Sequence, residues 1–127
     1  MVEIEINGET FVRKSDVDAA IKSAAEVPAK DRDGMQYCMV RTYSAGVFAG
    51  YVQSRDGKEV VMRDARRIWH WSGAASLSQL AMEGTKDPEA CRFPREVDTV
   101  ILTEAIEIIP MTERAKENIK AVPVWEK

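Results

Sequence analysis

Apolar and polar positions alternate at the start of the chain. Val2, Ile4 and Ile6 are separated by acids, Asn7-Gly8 is a type I′ turn signal, and Thr10 to Val12 can return, so a small hairpin is predicted. The period then changes. Val17, Ala20, Ile21 and Ala24 recur at helical spacing behind Ser15-Asp16-Val17-Asp18, a serine followed three residues later by an acid, which is how a helix start is capped. This helix is expected to end before Pro28. Residues 28–34 carry Lys30, Asp31, Arg32, Asp33 and Gly34, a linker composition. Residues 1–34 therefore read as a hairpin-helix extension, and residues 35–127 as a single main domain.

The main body opens with strands. Gln36 to Thr42 is β-prone, Tyr43-Ser44-Ala45-Gly46 interrupts it, and Val47 to Ser54 forms a second run containing Gly50. Asp56-Gly57 is another hairpin turn, and a third long run extends from Glu59 to Trp71. Ser76-Leu77-Ser78-Gln79 caps a helix that buries Leu77, Leu80 and Ala81 and stops at Gly84. A loop with two prolines follows over 85–95. Val97 to Ile109 is a fourth strand region with a bend near Thr103-Glu104, closed by Pro110. Thr112 caps a last helix over Glu113 to Lys120, and Val122 to Trp125 is an extended tail whose indole is expected to dock. The predicted fold class is α+β: an antiparallel sheet, a meander of about four strands, with two or three short helices. Such a sheet has exposed edges and a limited core, so an oligomer is expected.

Composition narrows the function classes. The 127 residues are 45% hydrophobic and 31% charged, the balance of a globular domain. Lys and Arg number 18 against 21 Asp and Glu, giving net −3, which disfavours a nucleic-acid polymer as partner. The uncharged run Thr42 to Ser54 is short and broken by Gly46, Gly50 and polar residues, so no membrane span is expected. The acidic N-terminus has no signal-peptide pattern. Two cysteines, Cys38 and Cys91, and one histidine, His70, show no metal-ligand spacing, and two free thiols in a reducing cytoplasm are expected. No cofactor motif is present.

The densest chemistry lies in Arg63 to Trp71. In a regular strand Arg63, Ala65, Arg67, Trp69 and Trp71 share one face, and only one of Arg66 and Arg67 can serve a given side. Guanidinium groups fork onto phosphates and indoles stack on bases, so this pairing suits a ligand with both. The competing reading is that both indoles are core and the arginines pair with acids. Ser72-Gly73-Ala74-Ala75-Ser76 sets small residues before a helix start, where backbone N–H groups favour an anion, although an ordinary strand-to-helix turn looks the same. Arg41, at a strand end, and the loop with Lys86, Arg92, Phe93 and Arg95 add further cations and an aromatic ring. No acidic cluster or activated nucleophile is visible, so the chain is expected to bind a nucleotide rather than break it.

Three segments together resemble one family: Val40 to Val47, Ala65 to Ala81, and Leu102 to Ile109 with Thr112 to Lys116. They look like the phage-encoded Thoeris anti-defence proteins of the first type, over roughly residues 36–125. The resemblance implies a sponge in the cytoplasm of an infected bacterial host. It would bind the TIR-derived signal glyco-cyclic ADP-ribose, and in some members cyclic oligonucleotides, without cleaving it. It also implies dimers or trimers of dimers with pockets between subunits. On this basis Trp69, Trp71 or Phe93 are expected to stack adenine, Arg41, Arg66, Arg67 and Arg92 to hold phosphates, and Ser76 and the backbone near Ala74 to contact phosphate or ribose. Two other readings compete. One is a small cyclic-nucleotide-degrading enzyme. The other is a phage structural or interaction module.

Overall fold

The computed structural model describes residues 27–126, together with the backbone of Ile4–Ile6 (β1) and Glu9–Phe11 (β2). These two strands pair antiparallel with Ile6 opposite Glu9, the register of a two-residue connection. The helix expected after Ser15 lies outside the described residues.

The main body contains β3 (Gln36–Thr42), β4 (Val47–Asp56), β5 (Glu59–Arg67), α1 (Leu77–Glu83), β6 (Val97–Leu102), β7 (Ala105–Pro110) and α2 (Glu113–Ala121). One five-stranded sheet has the order β6-β5-β4-β3-β7, with every neighbouring pair antiparallel. The fold is thus α+β on an antiparallel sheet, with one strand more than the sequence pattern predicts. The extra strand comes from the bend at Thr103-Glu104, which divides the fourth strand region into β6 and β7.

That division decides the shape. β6 and β7 occupy opposite edges of the sheet, yet only Thr103 and Glu104 separate them. In a flat sheet the edges would be roughly 19 Å apart, four spacings of about 4.8 Å. Three Cα steps reach about 11 Å at most. The sheet must therefore roll until its edges meet. The hydrogen bonds at the corner show the closure: Ala105 N–H donates to Lys58 O at 2.9 Å and Tyr43 N–H donates to Glu104 O at 2.9 Å.

Rolling gives the sheet two buried faces. Cys38, Val40, Phe48, Val60, Met62, Ala65 and Leu102 fill the inside. Tyr37, Met39, Ala49 and Tyr51 face outward and are covered by Ile68, Leu80, Phe93, Met111, Ala115 and Ile119. This is why β3 reads as an unbroken apolar run, Tyr37 to Val40: successive side chains enter different cores.

Bulges provide the curvature. Pairing shifts register between Ala49 and Tyr51, where Gly50 meets the Asp64-Ala65 segment of β5. Asp64 takes the left-handed conformation there, with φ 48°, and its carboxylate pairs with Arg32. A Cβ on Gly50 would lie 2.8 Å from Ala65 Cα, so only glycine fits without moving backbone. Gly50→Ala is expected to lower stability by about 1–3 kcal/mol, the usual effect of overpacking, read as a shifted urea midpoint.

The helices close the outer face. The Ser76 side chain accepts from Gln79 N–H and the Thr112 side chain accepts from Ala115 N–H, so both predicted caps start their helices. Thr112 Oγ1 also donates to Met82 O at 2.7 Å, which ties α2 to the end of α1. Asn118 exchanges two bonds with the backbone of Thr85, at 2.8 and 2.9 Å. The charged segment 27–35 lies across this face. Ala29 N–H donates to Met111 O, Glu113 N–H to Val27 O, and Lys30 N–H to Glu113 Oε1 at 2.7 Å. The bond from Lys30 holds the Glu113 carboxyl below its usual range, helped by Lys116. A carboxylate depressed on folding adds stability above its unfolded pKa and loses it as pH falls through the lowered value. Urea midpoints followed from neutral pH to about pH 3 should therefore fall less steeply in Glu113→Gln than in the parent chain.

Candidate functional site

β5 ends at Arg67, four residues before the sequence pattern predicts. Ile68 turns into the outer core, with its N–H on Val47 O at 2.7 Å. Beyond it the chain runs beside a new neighbour. His70 and Arg92 exchange backbone bonds of 3.3 and 2.8 Å, and Phe93 bridges in parallel to Val124, with Trp125 N–H on Phe93 O at 3.0 Å. Three distant segments thus lie side by side and bring Trp69, Arg92 and Trp125 together.

The two indoles stack with ring centroids 4.8 Å apart and planes 17° from parallel. The Arg92 guanidinium lies 5.8 Å from both rings. Trp69 remains 55% exposed and Trp125 37%. Arg92 is exposed and makes no ion pair with the described residues. The result is an apolar, electron-rich plane with a free cation at its edge. It can stack a planar base and hold an anion attached to that base.

The remaining sequence-predicted residues are dispersed. Trp71 is half-buried against the outer core and its Nε1–H donates to Ala74 O at 3.2 Å. Ser76 is committed to the α1 cap, Ala75 N–H is taken by Gln79 Oε1 at 2.8 Å, and Ser72 N–H by Cys91 Sγ at 3.5 Å. Gly73, at φ 82°, is packed against the Thr85–Asp87 backbone. Phe93 is 0% exposed, in the core rather than on a loop surface. Arg41 is paired with Glu107 at 3.0 Å on the β3–β7 edge. Arg67 lies over the Phe48 ring at 4.7 Å, beside a cleft shared with Arg95.

Arg66 points the other way from Arg67, as the two-faced strand requires, and is only 4% exposed. Its Nε donates to Pro94 O at 3.0 Å, Nη1 to Ile119 O at 2.9 Å, and Nη2 to Phe93 O and Pro123 O, both at 3.1 Å. Ile119 O belongs to the last turn of α2, whose dipole favours a cation. Burial lowers the guanidinium pKa, yet an arginine stays charged. Arg66 therefore fixes the 93–94 loop and the tail relative to each other, and so fixes where Trp125 can sit. The alternation predicted for Arg63 to Trp71 is broken by the Asp64 bulge and by the early end of β5.

Sequence reasoning did not connect Trp125 with Trp69. The signal was the extended Val122-Pro123-Val124-Trp125 tail, whose partner lies far away in the chain. Among the described residues no group of three or more His, Cys, Asp or Glu side chains converges as a metal set, and no helix is long and apolar enough to cross a membrane. Burial pushes the Cys38 thiol up to about 11, which keeps it protonated and unreactive at neutral pH.

Comparison with curated proteins and with solved structures gave no match. A family model described as a domain of unknown function, DUF6948, matches residues 35–119, from the start of the main body into α2. The match covers more than half of the chain, and the protein belongs to the DUF6948 family.

Proposed function

We infer that this protein is a phage anti-defence sponge that sequesters glyco-cyclic ADP-ribose, a signal made by bacterial TIR-domain proteins, and releases it unchanged. The observation that carries the reading is the stacked Trp69–Trp125 pair with the unpaired Arg92 at its edge. Adenine stacks on the exposed indole face, a contact worth about 1–3 kcal/mol. The pyrophosphate meets the guanidinium in a charge-assisted pair. Neither contact activates a bond, so binding without cleavage is the chemistry this surface supports. The resemblance of segments 40–47, 65–81 and 102–109 with 112–116 to Thoeris anti-defence proteins supplies the identity of the ligand.

One chain offers an open plane. A ligand held long enough to starve an effector needs enclosure, and a second copy facing this plane would supply it. The proposal therefore includes a homo-oligomer, a dimer or trimer of dimers, acting in the cytoplasm of the infected host, with cyclic oligonucleotides as further ligands. Titration of the intact chain with glyco-cyclic ADP-ribose, followed by tryptophan fluorescence, tests the site. Quenching that saturates at stoichiometric ligand is expected. Unchanged emission while heat is still released would place the ligand elsewhere.

One observation favours a second reading. Val124, Trp125 and Trp69 are all exposed apolar residues, and such surface can also dock a protein. In that case no nucleotide would alter the tryptophan emission.

A further inference from the structure

A cleft at one end of the rolled sheet shares no lining residue with the indole pair. Phe48 of β4, Ala65 of β5, and Val97 and Val100 of β6 form a cleft of about 370 Å³, with Thr99, Pro94, Arg67 and Arg95 completing it. Barrel mouths are a common place for small-molecule sites, and this volume lies in the range such sites occupy. The base of the cleft is apolar and firm: Phe48 and Ala65 are buried parts of the inner core. Val97 stands 45% exposed on its wall.

The charged side chains lining the cleft, Arg67 and Arg95, are both cations. Arg32 pairs with Asp64, Arg41 with Glu107, Arg114 with Glu83, and Lys116 with Glu113. Arg67 and Arg95 have no such partner among the described residues, and no acid lines the cleft. The Arg67 guanidinium lies over the Phe48 ring, 4.7 Å from its centroid, a contact that restrains it before any ligand arrives. Two like charges above an apolar base are relieved by a single bound anion.

We propose that this barrel mouth is a second ligand site, separate from the indole surface, for a small amphipathic anion: a flat apolar body carrying one carboxylate, sulfonate or phosphate. The body rests on Ala65, Val97 and Val100. The head group bridges Arg67 and Arg95, with Thr99 available as a further donor.

The test uses 1-anilinonaphthalene-8-sulfonate, which has this chemistry, and N-phenyl-1-naphthylamine, which has the same body without the charge. The sulfonate is expected to bind once per chain with enhanced emission, and the neutral dye roughly tenfold more weakly, as the loss of a charge-assisted contact implies. The double variant Arg67→Gln/Arg95→Gln should lose roughly tenfold for the sulfonate and leave the neutral dye unaffected. Val97→Trp, at a position with room toward solvent, should fill the cleft and exclude both dyes, while circular dichroism confirms folding. Equal binding of the sulfonate by parent and double variant would overturn the proposal. So would loss of the sulfonate in Trp125→Ala, because the dye would then sit on the indole surface.

Discussion

Arg66→Ala is expected to lose about 3–5 kcal/mol of folding stability, the largest effect of any single substitution considered for this chain. Truncation strips donors from the carbonyls of Phe93, Pro94, Ile119 and Pro123 at once, and it leaves a void beside Phe93, whose ring lies 5.5 Å from the guanidinium. For a chain of this size the loss corresponds to a fall in Tm of roughly 10–20 °C. Arg66→Lys should recover little, since one ammonium cannot reproduce a planar fork reaching four acceptors in three segments. The consequence extends to function. Pro123 O and Phe93 O anchor the tail, so any Arg66 variant that still folds should bind ligand more weakly because Trp125 has lost its seat. A thermal melt and a ligand titration on the same sample separate the two effects. A parent-like Tm in Arg66→Ala would mean that the tail and the 93–94 loop are held by other forces.

Trp69→Ala combined with Arg92→Ala is expected to weaken binding of glyco-cyclic ADP-ribose by about 10²–10⁴-fold. The estimate takes about 1–3 kcal/mol for the stacking plane and about 1.5–3 kcal/mol for the charged contact, with allowance for incomplete additivity. Neither side chain supports the core: Trp69 is more than half exposed and Arg92 is exposed. Folding stability should therefore stay within about 1 kcal/mol of the parent, which separates this pair from Arg66. Trp69→Phe keeps a π face and should restore a substantial part of the affinity. If the double variant binds like the parent, the stacked pair is not the site.

The legible parts of the fold were those written in neighbouring residues. Asn7-Gly8 and Asp56-Gly57 marked hairpins, Ser76 and Thr112 marked helix starts, and Gly84 marked a helix end, because turns and caps are made within a few residues of themselves. What escaped was set across the sheet. The bulge at Asp64 exists because Gly50, on another strand, leaves room for Ala65. The bend at Thr103-Glu104 was visible, but not that its two arms would go to opposite edges and force the sheet to roll.

The candidate site divides the same way. Arginine next to arginine at 66–67 looks like surface, and nothing local shows that four carbonyls from remote segments wait for the first of them. Phe93 sits in a loop with Lys86, Arg92 and Arg95, a composition that suggests exposure. Its burial shares a two-residue spacing with Cys91, which is also buried, and that inward alternation was the available signal. Trp69 and Arg92 were both nominated from chemistry. Their meeting depends on the His70–Arg92 bridge, and their third member, Trp125, on the tail.

The most direct test of the sponge reading is calorimetric titration with glyco-cyclic ADP-ribose, followed by heat release of the bound ligand and its identification by mass. The account predicts tight binding, a fixed stoichiometry per chain, and recovery of the ligand with its mass unchanged. Recovery of a cleaved product would make the protein an enzyme. An absence of heat with this ligand and with cyclic di- and trinucleotides would leave the Trp69–Trp125 face as a surface for protein contact.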